Sequence, residues 1–165
     1  MSLAGQRLDT DRYTVVPRTL VFLTRPGEVL LQRVPPGRGP WGGLYNGLGG
    51  HIERGEDPLR SAQREVEEES GLRAEALRLR GVVLVDTKQS VGIGLYVFTG
   101  GATSGPLQSG PEGTLEWVGT DQVASLPLVQ DLTILLPRVL APSGPPFSAV
   151  YTYDDEGELT VRFAS

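Results

Sequence analysis

The chain contains no cysteine, which excludes a disulfide framework, thiol chemistry and any cysteine-based zinc site. Histidine is nearly as scarce: His51 is the only one, and it reads as structural or solvent-facing. No stretch approaches the ~20 apolar residues that a membrane helix needs, and the first residues lack the apolar run of a signal peptide. Neither a leader nor a membrane partner is therefore expected, and a cytoplasmic location is the default. Positive charge is also in deficit. Fifteen Lys and Arg face twenty Asp and Glu, a net charge of −5. That balance argues against non-specific binding of a nucleic-acid polymer or a membrane surface. It also means that an anionic ligand needs a bridging cation. No internal repeat is evident.

What remains is a chain of 165 residues, 39% hydrophobic, which suits one domain spanning 1–165 with a real core. Residues 1–12 read as a loose polar tail. Thr14 to Thr24 is β-branched and apolar, and a Pro26-Gly27 turn leads to Val29–Arg33, so the two runs predict a hairpin. A Gly/Pro-rich loop follows, then a short strand over Gly47–Ile52. Leu77–Asp86 and Val91–Thr99 predict two more strands, Gly100–Gly113 a flexible loop and Leu115–Val118 a short strand. Asp121 can cap a short turn, and Leu128–Leu140 has helical spacing. Phe147–Tyr153 and Leu159–Phe163 alternate around a turn, a terminal hairpin within 146–164. Strands outnumber helices, and the pattern predicts a mixed β-sheet with helices on its faces, an α/β/α sandwich.

Carboxylates and arginines are concentrated between Gly50 and Leu72, GHIERGEDPLRSAQREVEEESGL. Asp57 is a natural N-cap, Pro58 suits the first helical position, and Gly71 sits where a left-handed residue ends a helix. At about 100° per residue, Leu59, Ala62 and Val66 share an apolar stripe. Glu65, Glu68 and Glu69 share an arc of roughly 100° beside it, while Glu67 points away. Like charges so spaced destabilise a helix and raise one another's pKa. A cation among them reverses that cost, and all-oxygen ligands suit Mg²⁺ or Mn²⁺. A solvated, charged helix face is the other reading of such a run.

Gly50, five residues, Glu56, seven residues, then Arg64-Glu65-Val66-Glu67-Glu68-Glu69-Ser70-Gly71-Leu72 resembles the Nudix box over 23 residues. The resemblance implies an α/β/α sandwich that hydrolyses nucleoside diphosphates linked to another moiety and uses divalent metal. It makes Glu65, Glu68 and Glu69 metal ligands and gives Gly50 a backbone carbonyl for the ion. Arg64 would orient a carboxylate, and the loop from Gly50 to Glu56 would lie against the phosphates.

Hydrolysis also needs a base to strip the water. Glu112 and Glu116 in GPEGTLEWV are candidates beside a helix carboxylate such as Glu68. Glu112, in a Gly-flanked loop resembling one that carries a glutamate in several family members, is favoured. Glu116 alternates with Leu115 and Trp117 and reads as the exposed side of a strand. Tyr45-Asn46-Gly47-Leu48-Gly49-Gly50 resembles a segment of the MutT-like branch that hydrolyses oxidised purine nucleoside triphosphates. By position Asn46 would offer its amide to a purine edge, or else hold a turn. LEWVGTDQVASLPLVQD also resembles that branch, which would bring Asp131 to the base. Val129 and its neighbours supply no aromatic there. Arg33, and less strongly Lys88, could meet a phosphate, and Trp41 could wall a pocket.

The expectation is an enzyme, monomer or homodimer, acting on a small-molecule nucleotide. Its reaction would be Mg²⁺-dependent release of a monophosphate and pyrophosphate from an oxidised purine nucleoside triphosphate. Nucleotide sugars or other diphosphate-linked metabolites are the second reading. A nucleotide-binding regulator is the third, disfavoured because such proteins lose box glutamates and none is missing here.

Overall fold

A computed structural model describes residues 11–164; the expected tail falls largely outside the described residues. Two long strands lead the architecture, β1 (Thr14–Arg25) and β5 (Val91–Ala102), which run parallel from Thr14↔Val91 to Leu23↔Gly100. Antiparallel to β5 lies β4 (Ala74–Val85), and β4 pairs in parallel with β7 (Phe147–Tyr153). The terminal hairpin of β7 and β8 (Leu159–Phe163) completes that side. The sheet is mixed, as expected.

The first hairpin departs from a simple ladder. β2 (Glu28–Arg33) meets β1 only at Thr24↔Val29 and Arg25↔Glu28. It then peels away to pair with β3 (Tyr45–Asn46) and β6 (Thr114–Gly119). Val29 to Gln32 are all buried, so β2 has apolar contacts on both faces and cannot remain at a solvated edge.

Alternation along β1 divides the core. Leu20 and Phe22 face a cluster with Val83, Val97, Leu132 and Leu136, whereas Val21 and Leu23 face Ala62, Val66 and Phe98. Helix α1 (Pro58–Ser70) therefore covers one face and α2 (Leu132–Val139) the other, giving the expected α/β/α layering. Burying side chains of the Leu and Val class contributes about 1.5–3 kcal/mol each. α1 starts and stops as read: Asp57 Oδ1 accepts from the N–H groups of Leu59 and Arg60, and Gly71 has φ of 71°.

Several local expectations need correction. Leu59 is 41% exposed and lies outside the buried face of α1, which is formed by Ser61, Ala62, Val66 and Ser70. Gly47–Ile52 is not a continuous strand. It touches β1 through isolated bridges, Leu48 to Val21 and His51 to Arg18, interrupted at Gly49, whose φ is 137°. The second helix begins at Leu132 rather than Leu128. Pro127 and Val129 are engaged by the Tyr45 backbone, so that segment is extended. Gly100 to Ala102 belong to β5 instead of a loop. The turn at Val123–Ser125 forms without a side-chain cap from Asp121.

Candidate active site

Helix α1 presents its acidic arc to the loop that precedes it, and Arg64 ties the two together. Arg64 Nε and Nη2 donate to the two oxygens of Glu56, each at 2.9 Å, a bidentate fork. Its Nη1 donates to Glu65 at 2.9 Å and to Glu68 at 3.1 Å, and Nη2 also reaches the His51 carbonyl at 3.0 Å. The Arg64 hydrogen bonds, helped by the Glu53 N–H, hold the Glu56 carboxyl down at about 2. They also raise the Arg64 guanidinium above its usual range, so its charge is permanent.

Close approach explains the glycines. A Cβ on Gly50 would stand 2.5 Å from Glu65 Oε1, so Glu65 packs directly on that backbone. The Gly50 carbonyl accepts from the Thr19 N–H at 2.9 Å, which fixes the loop to β1. A Cβ on Gly49 would fall 2.2 Å from the Thr19 carbonyl oxygen. Gly49 donates its N–H to Glu69 at 3.0 Å. Burial pushes the Glu69 carboxyl up to about 7; the Gly49 bond opposes this, and Glu65, Glu112 and Glu68 add to it.

These groups line a cleft of about 550 Å³ containing Gly50, Glu65, Glu68, Glu69 and, across it, Glu112. Among the described residues no three acidic side chains stand grouped as a ready ion cage. Glu65 and Glu68 are turned onto Arg64, and Glu69 onto Gly49. The donor set nevertheless fits a hard divalent cation: flexible carboxylates, one raised in pKa by burial and further by its acidic neighbours, gathered beside a glycine carbonyl. Glu112 reaches the cleft from the loop before β6 and pairs with Arg38 at 3.4 Å. Glu116 does not line the cleft; both of its oxygens accept from the Tyr45 hydroxyl at 3.2 Å.

A second cavity, about 200 Å³, adjoins the cleft through Gly49. Its wall includes Asn46, Trp41, Leu95, Asp131 and Tyr151. That volume lies below the roughly 300–1,000 Å³ of drug-sized sites and suits one ring system. Asn46 Oδ1 accepts from the Gly47 N–H at 2.8 Å, which holds the side chain against the backbone at the cavity wall. Asp131 begins α2 without a side-chain cap bond, so its carboxylate is turned to the cavity instead. Burial pushes that carboxyl up to about 6. Tyr151 is raised too, first by burial and then by Asp131; its hydroxyl lies near that carboxylate without forming a well-directed hydrogen bond.

Arg33 is not part of either cavity: its Nε donates to the Gly43 carbonyl at 3.4 Å and its guanidinium lies over the Tyr45 ring. Lys88 pairs with Asp155 at 2.7 Å, also away from both cavities. His51 is exposed, yet its carbonyl serves Arg64. Sequence reasoning missed Arg18, Arg38 and Tyr151. Arg18 had a readable signal, being a charged residue in phase with buried Leu20 and Phe22 on β1. Arg38 and Tyr151 had none, since only folding brings a distant loop and the last hairpin to the site.

A mixed sheet between two helices, with an acidic helix locked to a glycine loop by one arginine, defines a class, and residues 14–139 match the NUDIX domain model. The chain belongs to the NUDIX family and is a pyrophosphohydrolase, of a family that generally uses divalent metal ions. It is similar to proteins named oxidized purine nucleoside triphosphate hydrolase from Danio rerio and Mus musculus. The identities are 28% and 30% over 123 residues, 74% of this chain and 78% of each relative. A crystal structure of a mutator MutT protein from Bacillus halodurans superposes with a TM-score of 0.77 at 27% identity. It covers 90% of this chain and 97% of that one. No helix among the described residues is long and apolar enough to cross a membrane.

Proposed function

We propose that the chain, acting as one domain, is a Mg²⁺-dependent hydrolase of nucleoside triphosphates, with oxidised purine nucleotides as preferred substrates. The observation that carries this reading is the junction at Gly49 of a ring-sized cavity, bearing Asn46 and Asp131, with the carboxylate cleft. A nucleotide has the same two-part form: a flat, hydrogen-bonding base and a polyanionic chain. The similarity to the Danio rerio and Mus musculus oxidized purine nucleoside triphosphate hydrolases supports the same substrate class.

Glu65, Glu68 and Glu69, with the Gly50 carbonyl, would hold the cation. When bound it supplies charge neutralisation on the phosphate oxygens. Arg64 keeps Glu65 and Glu68 aimed inward through its two Nη1 bonds and anchors them to the loop through Glu56. Glu112 lies across the cleft as the base. It takes a proton from water as the water oxygen bonds to phosphorus and the α–β bridging P–O bond breaks, leaving a monophosphate and pyrophosphate. Asn46 and Asp131 bind and orient the base.

A panel of normal and oxidised nucleoside triphosphates, nucleotide sugars and dinucleotides, assayed with Mg²⁺, tests the reading. Asn46→Ala adds a second arm. Loss of a buried hydrogen bond costs about 1–3 kcal/mol, so kcat/KM for purine triphosphates should fall by about 5- to 150-fold. Substrates lacking the purine should be nearly unaffected. Equal losses on both would make Asn46 structural, and turnover only of nucleotide sugars would reject the triphosphate reading.

A further inference from the structure

The carboxylate cleft is lined by few cations, and their commitments differ. Arg64 spends its donors on Glu56, Glu65, Glu68 and the His51 carbonyl. Arg38, which lines a third cavity of about 340 Å³, is held by Glu112 and the Pro111 carbonyl. Arg18 is half-buried and, among the described residues, has no hydrogen bond or ion pair to its guanidinium. Its register opposite Leu95 puts its side chain on the sheet face of Leu20 and Phe22, one step beyond the closed core. There the face opens into the ring-sized cavity.

Arg18 and Gly49 are shared by all three cavities. A chain joining a base beside Asn46 and Asp131 to the carboxylates therefore runs along cavities that Arg18 and Gly49 line. The Gly49 N–H is already given to Glu69. On the reading given above, we infer that Arg18 binds the phosphate chain of the substrate, neutralising it between the base cavity and the carboxylate cleft. A guanidinium left half-buried without a counter-charge is unfavourable. Its planar fork matches phosphate oxygens and supplies charge where the surrounding acids would repel an anion.

The test is calorimetric binding, with Mg²⁺, of three probes to wild type, Arg18→Gln and Arg18→Lys. The probes are pyrophosphate, a purine nucleoside and its non-hydrolysable triphosphate analogue. Losing a charge-assisted contact should weaken the triphosphate and pyrophosphate by about tenfold or more in Arg18→Gln. The nucleoside, which has no phosphate, should change by less than about threefold, and Arg18→Lys should recover part of the loss. In turnover KM should rise with kcat largely retained, and thermal stability should hold or rise, since no hydrogen bond or ion pair of the guanidinium among the described residues is lost. Equal weakening of nucleoside and triphosphate would overturn the proposal in favour of stacking on the base. Unchanged binding of all three probes, or a wild type that binds neither pyrophosphate nor triphosphate, would also overturn it. A wild type that binds pyrophosphate Arg18-dependently but no purine nucleotide would leave Arg18 assigned and reject the purine reading alone.

Discussion

Replacing Asp131 with asparagine removes an ionisable proton while keeping the size and hydrogen-bonding capacity of the side chain. Burial in the cavity wall holds this carboxyl at about 6, against 3.8 in the unfolded chain. Between those values the folded chain binds more protons than the unfolded one, so stability falls as pH rises through that window. A shift of roughly two units at 1.36 kcal/mol each sets an upper limit of about 3 kcal/mol. The cavity opens to water, so the expected cost is about 1–3 kcal/mol at pH 7 and above. Below about pH 4 the carboxyl is neutral in both states and the cost vanishes. Asparagine does not titrate, and Asp131 makes no cap bond to α2 whose loss would offset the gain. The stability difference between Asp131→Asn and wild type should be small near pH 4, grow towards pH 6 and level off above pH 7, with the variant more stable. Urea unfolding at four pH values, with chelator and without nucleotide, measures it from the midpoint at constant m. A difference that does not vary with pH, or a variant less stable at pH 8, would refute the assignment of a buried, proton-retaining Asp131.

The remaining outcomes concern the cleft. Glu69→Gln should lower kcat by at least two decades while raising metal-free stability above pH 7, because a carboxyl held near 7 destabilises the fold once ionised; near-full activity would remove Glu69 from the ion site. Glu112→Gln should cost about 10²–10⁴ in rate, whereas Glu116→Gln, which touches only Tyr45 among the site residues, should stay within about threefold; steady-state kinetics reversing that order would exchange their roles. Gly50→Ala should fold, since the flexible Glu65 can move aside from the new Cβ, but should lose metal affinity in a Mn²⁺ titration. Unchanged affinity would show that Glu65 needs no such close seat.

Much of α1 was decided locally and so was legible in the sequence. Asp57, Pro58 and Gly71 act within a turn of their own backbone, and a period of 3.6 places Glu65, Glu68 and Glu69 on one arc whatever the rest of the chain does. The reach of Arg64 to Glu68 is likewise a four-residue helical contact. The layered sheet was legible from alternation and turn residues, because each strand's period states which residues it must bury. Tertiary structure decided what local periodicity cannot carry. Leu59 falls in phase with Ala62 and Val66 yet stays exposed, and the late start of α2 depends on Tyr45 binding the backbone of Pro127 and Val129. Whether Glu112 or Glu116 faces the carboxylates depends on the pairing of β6 with β2, which gives Glu116 to Tyr45. Arg33 and Arg18 look alike in sequence, each a strand arginine. Long-range packing sets one over an aromatic ring and leaves the other without a partner among the described residues, where three cavities meet.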